Sequence, residues 1–170
     1  MTPNITIRPE TDADVDPIRE ITIEAFKTLQ ISNQTEHFIV EALRDGGALA
    51  VSLVAELGGK VVGHVAFSPV TLDDGTRDWY GLGPVSVLPE YQRQGVGTAL
   101  IEEGLRRLKK LDAEGCCVVG HPEYYVRFGF ENTPDLVFEG VPPEVFFALP
   151  FTGHAPRATV TFHEAFAADG

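Results

Sequence analysis

The stretch QRQGVGT, residues 92–98, sets two glycines, Gly95 and Gly97, at the entrance to an otherwise regular amphipathic helix. Glycine is about 1 kcal/mol less favourable than alanine inside a helix, so a bare backbone there calls for a reason. The first four N–H groups of a helix have no acceptor within it, and the macrodipole adds roughly half a positive charge at that end. With no side chains at 95 and 97, a diphosphate can approach the amides of Arg93, Gln94, Gly95, Val96, Gly97 and Thr98. Arg93 supplies a cation and Thr98 a hydroxyl donor. A GxxxxGK[ST] phosphate loop is excluded, because the stretch has no lysine. A dinucleotide GxGxxG fingerprint is weak, because Leu100 stands where its third glycine belongs. On spacing alone, a plain turn with glycines for tight packing remains an equal alternative.

Other residues with reactive groups are fewer. Cys116 and Cys117 are adjacent, so in a strand they point to opposite faces and do not pair with each other. With no second cysteine pair, no metal site is expected, and the two read as small, reduced, buried residues. His64 and His121 are candidates for water-mediated base catalysis, although a structural role is the more frequent fate of such histidines. Glu41 and Glu123 are expected on solvated helical faces.

The elements that must carry these groups follow from periodicity. Residues 4–9 alternate and end at a proline, predicting a short strand. Thr11 or Asp14 caps a helix whose apolar face holds Ile18, Ile21 and Ala25, with Phe26 beside them. A second helix is predicted over 35–45, ending at Gly46-Gly47. Residues 49–57 and 60–72 read as a hairpin about Gly58-Gly59, and 78–89 as a further strand. In the helix after the glycine turn, Val96, Leu100, Ile101, Leu105, Leu108 and Leu111 form a stripe at spacings of three and four. A buried strand over 114–120 and a helical turn over 122–128 follow. Two late strands are expected around EVFFALPF and RATVTFHEAF. Phe146, Phe147 and Phe151 are read as core.

Bulk properties set the outer limits. The 170 residues, 44% of them hydrophobic, suit one mixed α/β (α+β) domain spanning 1–170. A net charge of −12 opposes binding to nucleic acid. No apolar run approaches the roughly 20 residues that span a bilayer, and the polar, acidic N-terminus reads as no targeting segment. A soluble cytoplasmic protein without membrane partners is the expectation.

The stretch GPVSVLPEYQRQGVGTALIEEGLRRL, residues 83–108, resembles the central motif of the GNAT superfamily of N-acetyltransferases. There a strand ending in V-x-P precedes [QR]-x-x-G-x-[GA] and a long amphipathic helix. Val87 and Pro89 match the strand end, and Gln92, Gly95 and Gly97 the turn. YYVRFGF, residues 124–130, is similar to the late Y-x-x-x-G-F signature, with Tyr125 as its tyrosine and Gly129-Phe130 as its G-F. The order of elements agrees over nearly the whole chain. The long GHPEYYVRFGF form points to a bacterial branch with unassigned substrates.

This resemblance implies a mostly antiparallel, twisted central sheet flanked by helices, with acetyl-CoA as co-substrate and no metal. It implies that the amides of residues 93–98 hold the diphosphate and that the pantetheine arm runs along Val85, Ser86 and Val87. The arm would enter a slot opened by a strand distortion, for which Gly83-Pro84 is the candidate break. A backbone N–H near Val87 would face the thioester carbonyl, and Tyr125 would serve as the acid that protonates the departing thiolate. Some family members carry a glutamate base on the strand before the turn, but residues 79–88 contain no carboxylate. The implied function is transfer of acetyl to a primary amine, of a small molecule or of a protein, through a ternary complex. The alternatives are a non-catalytic CoA sensor on the same fold and, last, a nucleotide-binding oxidoreductase. The acceptor pocket is expected between the first two helices, the loop at 73–78 and the C-terminal strands. Homodimers are frequent in the superfamily, and the oligomeric state stays open.

Overall fold

The computed structural model describes residues 4–27 and 34–169. Strand β1 (Ile5–Pro9) leads through a 3-10 turn into helix α1 (Val15–Phe26), and helix α2 (Glu36–Asp45) follows. Then come β2 (Val51–Leu57), β3 (Lys60–Pro69), β4 (Thr71–Leu72) and β5 (Trp79–Val87). Helix α3 (Val96–Lys110), β6 (Gly115–Val119) and the single-turn helix α4 (Pro122–Tyr125) precede β7 (Leu136–Val137), β8 (Phe146–Pro150) and β9 (Ala158–Thr161).

The main sheet has the order β1-β2-β3-β5-β6-β8. Its neighbours are antiparallel except β5 and β6, which run parallel because α3 carries the chain across one face between them. This is the mixed, mostly antiparallel sheet that the resemblance implies. The late strands are both present, but they separate: β8 joins the main sheet, while β9 lies between β4 and β7 in a small second sheet. The hairpin arm expected to continue to residue 72 therefore stops at Pro69, and Thr71 and Leu72 pair with Thr161 and Val160. The end of RATVTFHEAF is a 3-10 turn, Glu164–Ala167.

The stripe on α3 buries against one face of the main sheet. A Cβ built on Gly63 of β3 would lie 2.9 Å from Val96 Cγ1 and 3.1 Å from Leu100 Cδ1, so the helix start rests directly on the strand backbone. Farther along, Gly104 admits the ring of Phe67; a Cβ there would come within 2.1 Å of its Cε1. Leu111 is a correction to the expected stripe, because it is 54% exposed. The helix closes at Lys110, Asp112 turns left-handed (φ 62°), and the Ala113 N–H bonds the Leu108 carbonyl at 3.1 Å. That C-terminal reversal turns Leu111 outward and buries Ala113 in its place.

Helices α1 and α2 cover the opposite face, where Ile18, Val40 and Val54 form a small cluster. Asp14 locks the entry to α1: its carboxylate accepts from the Thr11 N–H at 2.7 Å and from both arms of Arg8 at 2.7 and 3.0 Å. The Arg8 fork holds the Asp14 carboxyl well below the usual range, at about 2. Cys116 and Cys117 sit in different clusters, one on each face of the sheet, as their adjacency in a strand requires.

Candidate active site

The pairing between β5 and β6 is short. Only Trp79, Tyr80 and Gly81 meet β6, at Gly115, Cys116 and Cys117. Beyond them the two strands part, and Val118 and Val119 pair with β8 alone. The parting begins at Gly83-Pro84, where Pro84 has no N–H to give a ladder and Gly83 has a φ of 139° that other residues rarely adopt. On its other edge β5 stays paired with β3, with Val85, Ser86 and Val87 opposite Val65, His64 and Gly63. The Leu88 N–H donates to the Val62 carbonyl at 2.9 Å, towards β3. Since backbone groups alternate along a strand, the amides and carbonyls of Val87 and Val85 face the other way, into the slot. Gln92 Nε2 donates to the Val87 carbonyl at 3.1 Å from that side, tying the turn to the strand end.

The glycine turn then closes over the slot. Arg93 and Gly95 are both left-handed, with φ of 63° and 86°, and Gly95 caps α3. The first helical bond runs from the Ala99 N–H to the Gly95 carbonyl at 3.0 Å. Among the described residues, the N–H groups of residues 93–98 have no acceptor. All of these residues but Gln94 border a cavity of about 470 Å³, which Val87, Tyr91, Gln92, Tyr124 and Arg127 also line. Sequence reasoning had not singled out these last two. Tyr124 reaches the Thr98 hydroxyl at 3.4 Å, and the Arg127 guanidinium lies 4.8 Å from the Tyr124 ring centroid. Their signal was available as a basic residue three positions after a tyrosine, on one face of a helical turn. Two cations, Arg93 and Arg127, thus meet at one cavity in a strongly acidic chain.

The remaining expected site residues are distributed around this cavity. The Gln94 side chain folds back onto the Glu90 carbonyl at 3.1 Å and does not line it. Ser86 points away, buried on the α1 face, while Val85 and Val87 pack towards α3. Tyr125 is only 7% exposed; its ring lies edge-on to Phe130 at 6.0 Å and fits where Gly120 has no side chain. Burial raises its hydroxyl pKa, so the proton stays on at neutral pH, and among the described residues that hydroxyl has no hydrogen-bond partner.

The histidine candidates divide. His121 is exposed at the N-terminus of α4. His64 is fully buried beneath α1, with Nε2 2.8 Å from the Ser52 hydroxyl. Ser52 donates to Glu10, which also accepts the Arg44 fork at 3.0 Å twice. The single hydroxyl hydrogen being committed to Glu10, His64 must donate from Nε2, which leaves Nδ1 as a bare acceptor. Burial pushes this imidazole down to about 4. Glu41 pairs with Arg19 and Glu123 is exposed, in keeping with surface positions. Phe146 and Phe147 are core, and Phe151 is partly buried. No group of three His, Cys, Asp or Glu side chains that could hold a metal exists among the described residues. Nor is any described helix long and apolar enough to cross a membrane.

A glycine-bordered helix start beside a split parallel pair defines a class of fold, and comparison with known proteins places the chain within it. Residues 15–130 match the acetyltransferase (GNAT) family, and the chain belongs to that family. It is similar to the uncharacterized N-acetyltransferase YhbS of Escherichia coli K12, with 36% identity over 116 residues covering 68% of this chain and 70% of that one. Among solved structures it resembles a GNAT family acetyltransferase from Brucella melitensis in complex with acetyl-CoA. The TM-score is 0.86 at 44% identity, covering 96% of this chain and 98% of that one. The Escherichia coli YhbS structure in complex with CoA gives a TM-score of 0.85 at 29% identity, covering 100% and 96%.

Proposed function

We propose that residues 1–170 form one acetyltransferase domain that moves acetyl from acetyl-CoA to a primary amine within a ternary complex. The observation that carries this reading is the row of amides at residues 93–98 without an acceptor among the described residues, at a cavity that Val87 of β5 also lines. The diphosphate would sit on those amides, with Arg93, Arg127 and the Thr98 hydroxyl around it. The pantetheine amides would pair with Val85 and Val87 as an added strand does, with Ser86 contributing backbone only. In that register the thioester carbonyl meets a slot-facing N–H at the strand end, which stabilises the oxyanion.

The reaction balances simply. The amine nitrogen bonds to the carbonyl carbon, the carbon–sulfur bond breaks, the nitrogen passes one proton to water, the thiolate takes one from Tyr125, and water returns a proton to the phenolate. Tyr125 is the proton donor in this scheme. Its buried phenol is a weak acid, so its contribution is a proton held in place beside the sulfur rather than unusual acidity. Holding both reactants in one slot supplies much of the remaining acceleration.

The test is calorimetric titration with acetyl-CoA, followed by thiol release in the presence of pooled amines. Binding with turnover supports the transferase. Binding with no transfer to any amine leaves the CoA sensor, and no binding removes both.

A further inference from the structure

A second cavity reaches the same split in the sheet from the side opposite α3. It has a volume of about 310 Å³, and its floor is Leu82, Gly83 and Pro84 of β5 together with Val119 at the end of β6. The next residue, Gly120, lies against the ring of Tyr125, so this cavity and the tyrosine flank one strand end. The walls come from widely separated segments: Phe26 of α1, Ile39 of α2, and Phe138, Val141, Phe162 and Phe166 from the C-terminal third. The aromatic side chains hold one another. Phe138 and Phe162 stand 4.9 Å apart, and Phe162 and Phe166 meet edge-on at 5.1 Å. Phe162 in turn rests on the backbone of β5, where a Cβ at Gly81 would come within 2.6 Å of it.

The geometry points to this cavity as the acceptor site, taking a small primary amine with an aromatic or branched apolar body, of the arylalkylamine class. The inference rests on the transferase reading above and names its substrate. The size falls at the lower end of small-ligand pockets, which excludes an extended peptide as the buried part. An amino sugar would need several buried donors and acceptors, whereas this lining is almost wholly hydrocarbon. A polyamine would bring two or more charges to a lining that holds a single carboxylate, Glu36. The apolar body would fill the phenylalanine cage while the amino end points at the split, where the thioester arrives from the α3 side.

The experiment compares initial rates of thiol release from acetyl-CoA with 2-phenylethylamine, tryptamine, spermidine, glucosamine and a lysine-containing peptide. The arylalkylamines are expected to give kcat/KM at least tenfold above the others. Phe138→Ala, with the ring only half-buried, should raise the KM for 2-phenylethylamine at least tenfold while the acetyl-CoA Kd and the melting temperature hold. Phe166→Ala provides the same readout if Phe138→Ala fails to fold. Acetyl-CoA binding with equal or better turnover of spermidine, glucosamine or the peptide overturns this inference and leaves the transferase reading standing. Absence of acetyl-CoA binding overturns the transferase reading itself.

Discussion

Replacing Gly97 separates the ligand's demand on the glycine turn from the fold's. A Cβ at 97 would meet Tyr124 Oη at 3.2 Å and Val87 Cγ2 at 3.8 Å, both side-chain atoms at the cavity wall. Alanine should therefore fit with a shift of a few tenths of an ångström, and acetyl-CoA affinity should change less than about threefold, well under the 1.4 kcal/mol of a tenfold change. Valine projects two further carbons into the space between Val87 and Tyr124, where the proposed diphosphate would lie. Losing one or two hydrogen bonds to a charged group, at about 1.5–3 kcal/mol each, weakens binding at least tenfold. Folding should scarcely notice, because valine and glycine differ by only about 0.4 kcal/mol in helix propensity. Gly104→Ala supplies the opposite case. Its Cβ would lie 2.1 Å from Phe67 Cε1 in the core, costing about 1–3 kcal/mol of stability, yet the first-turn amides are untouched. Urea denaturation and acetyl-CoA calorimetry on the three variants read both axes. A Gly97→Val protein that binds acetyl-CoA as tightly as wild type would refute the amide cradle.

Tyr125→Phe should lower turnover at least tenfold with little change in acetyl-CoA affinity; an unchanged rate removes the hydroxyl as proton donor. Arg127→Gln should weaken acetyl-CoA binding severalfold at low ionic strength, and the difference should shrink at 0.5 M salt, about where screening becomes strong. A salt-independent difference would mean that Arg127 acts through packing on Tyr124. The buried His64 makes a separate prediction about acid. Its imidazole titrates at about 4 when folded, against roughly 6.5 when unfolded, so between these values the unfolded chain binds more protons. Stability is then lost as the pH falls through that window, by about 2 kcal/mol between pH 7.5 and 5. His64→Gln should flatten this slope in urea midpoints; a slope identical to wild type would assign the acid sensitivity elsewhere.

Much of the candidate site was legible because it is local. Gly95 and Gly97 before a stripe at helical spacing lie within one short window and report a backbone requirement of that neighbourhood, whereas the Pro84 break and the role of Tyr125 were expected through the resemblance to the GNAT superfamily. Leu111 shows the limit of such reasoning: periodicity continues to it, but a left-handed Asp112 ends the helix first. The β4-β9-β7 sheet was not legible as a sheet, because the two residues each of β4 and β7 carry no period to detect.

The amino-acid sequence by itself determined the helix that opens on a glycine turn and the opposite facing of the two cysteines. Each depends on residues a few positions apart. Only the tertiary structure decided that Arg127 and Tyr124 close the cavity and that His64 is walled in by Ser52 and Glu10. It also gathered six separate segments around the second cavity at the split in the sheet. Those relations join groups tens of residues apart, and packing, which chooses among many local solutions at once, leaves no periodic trace along the chain.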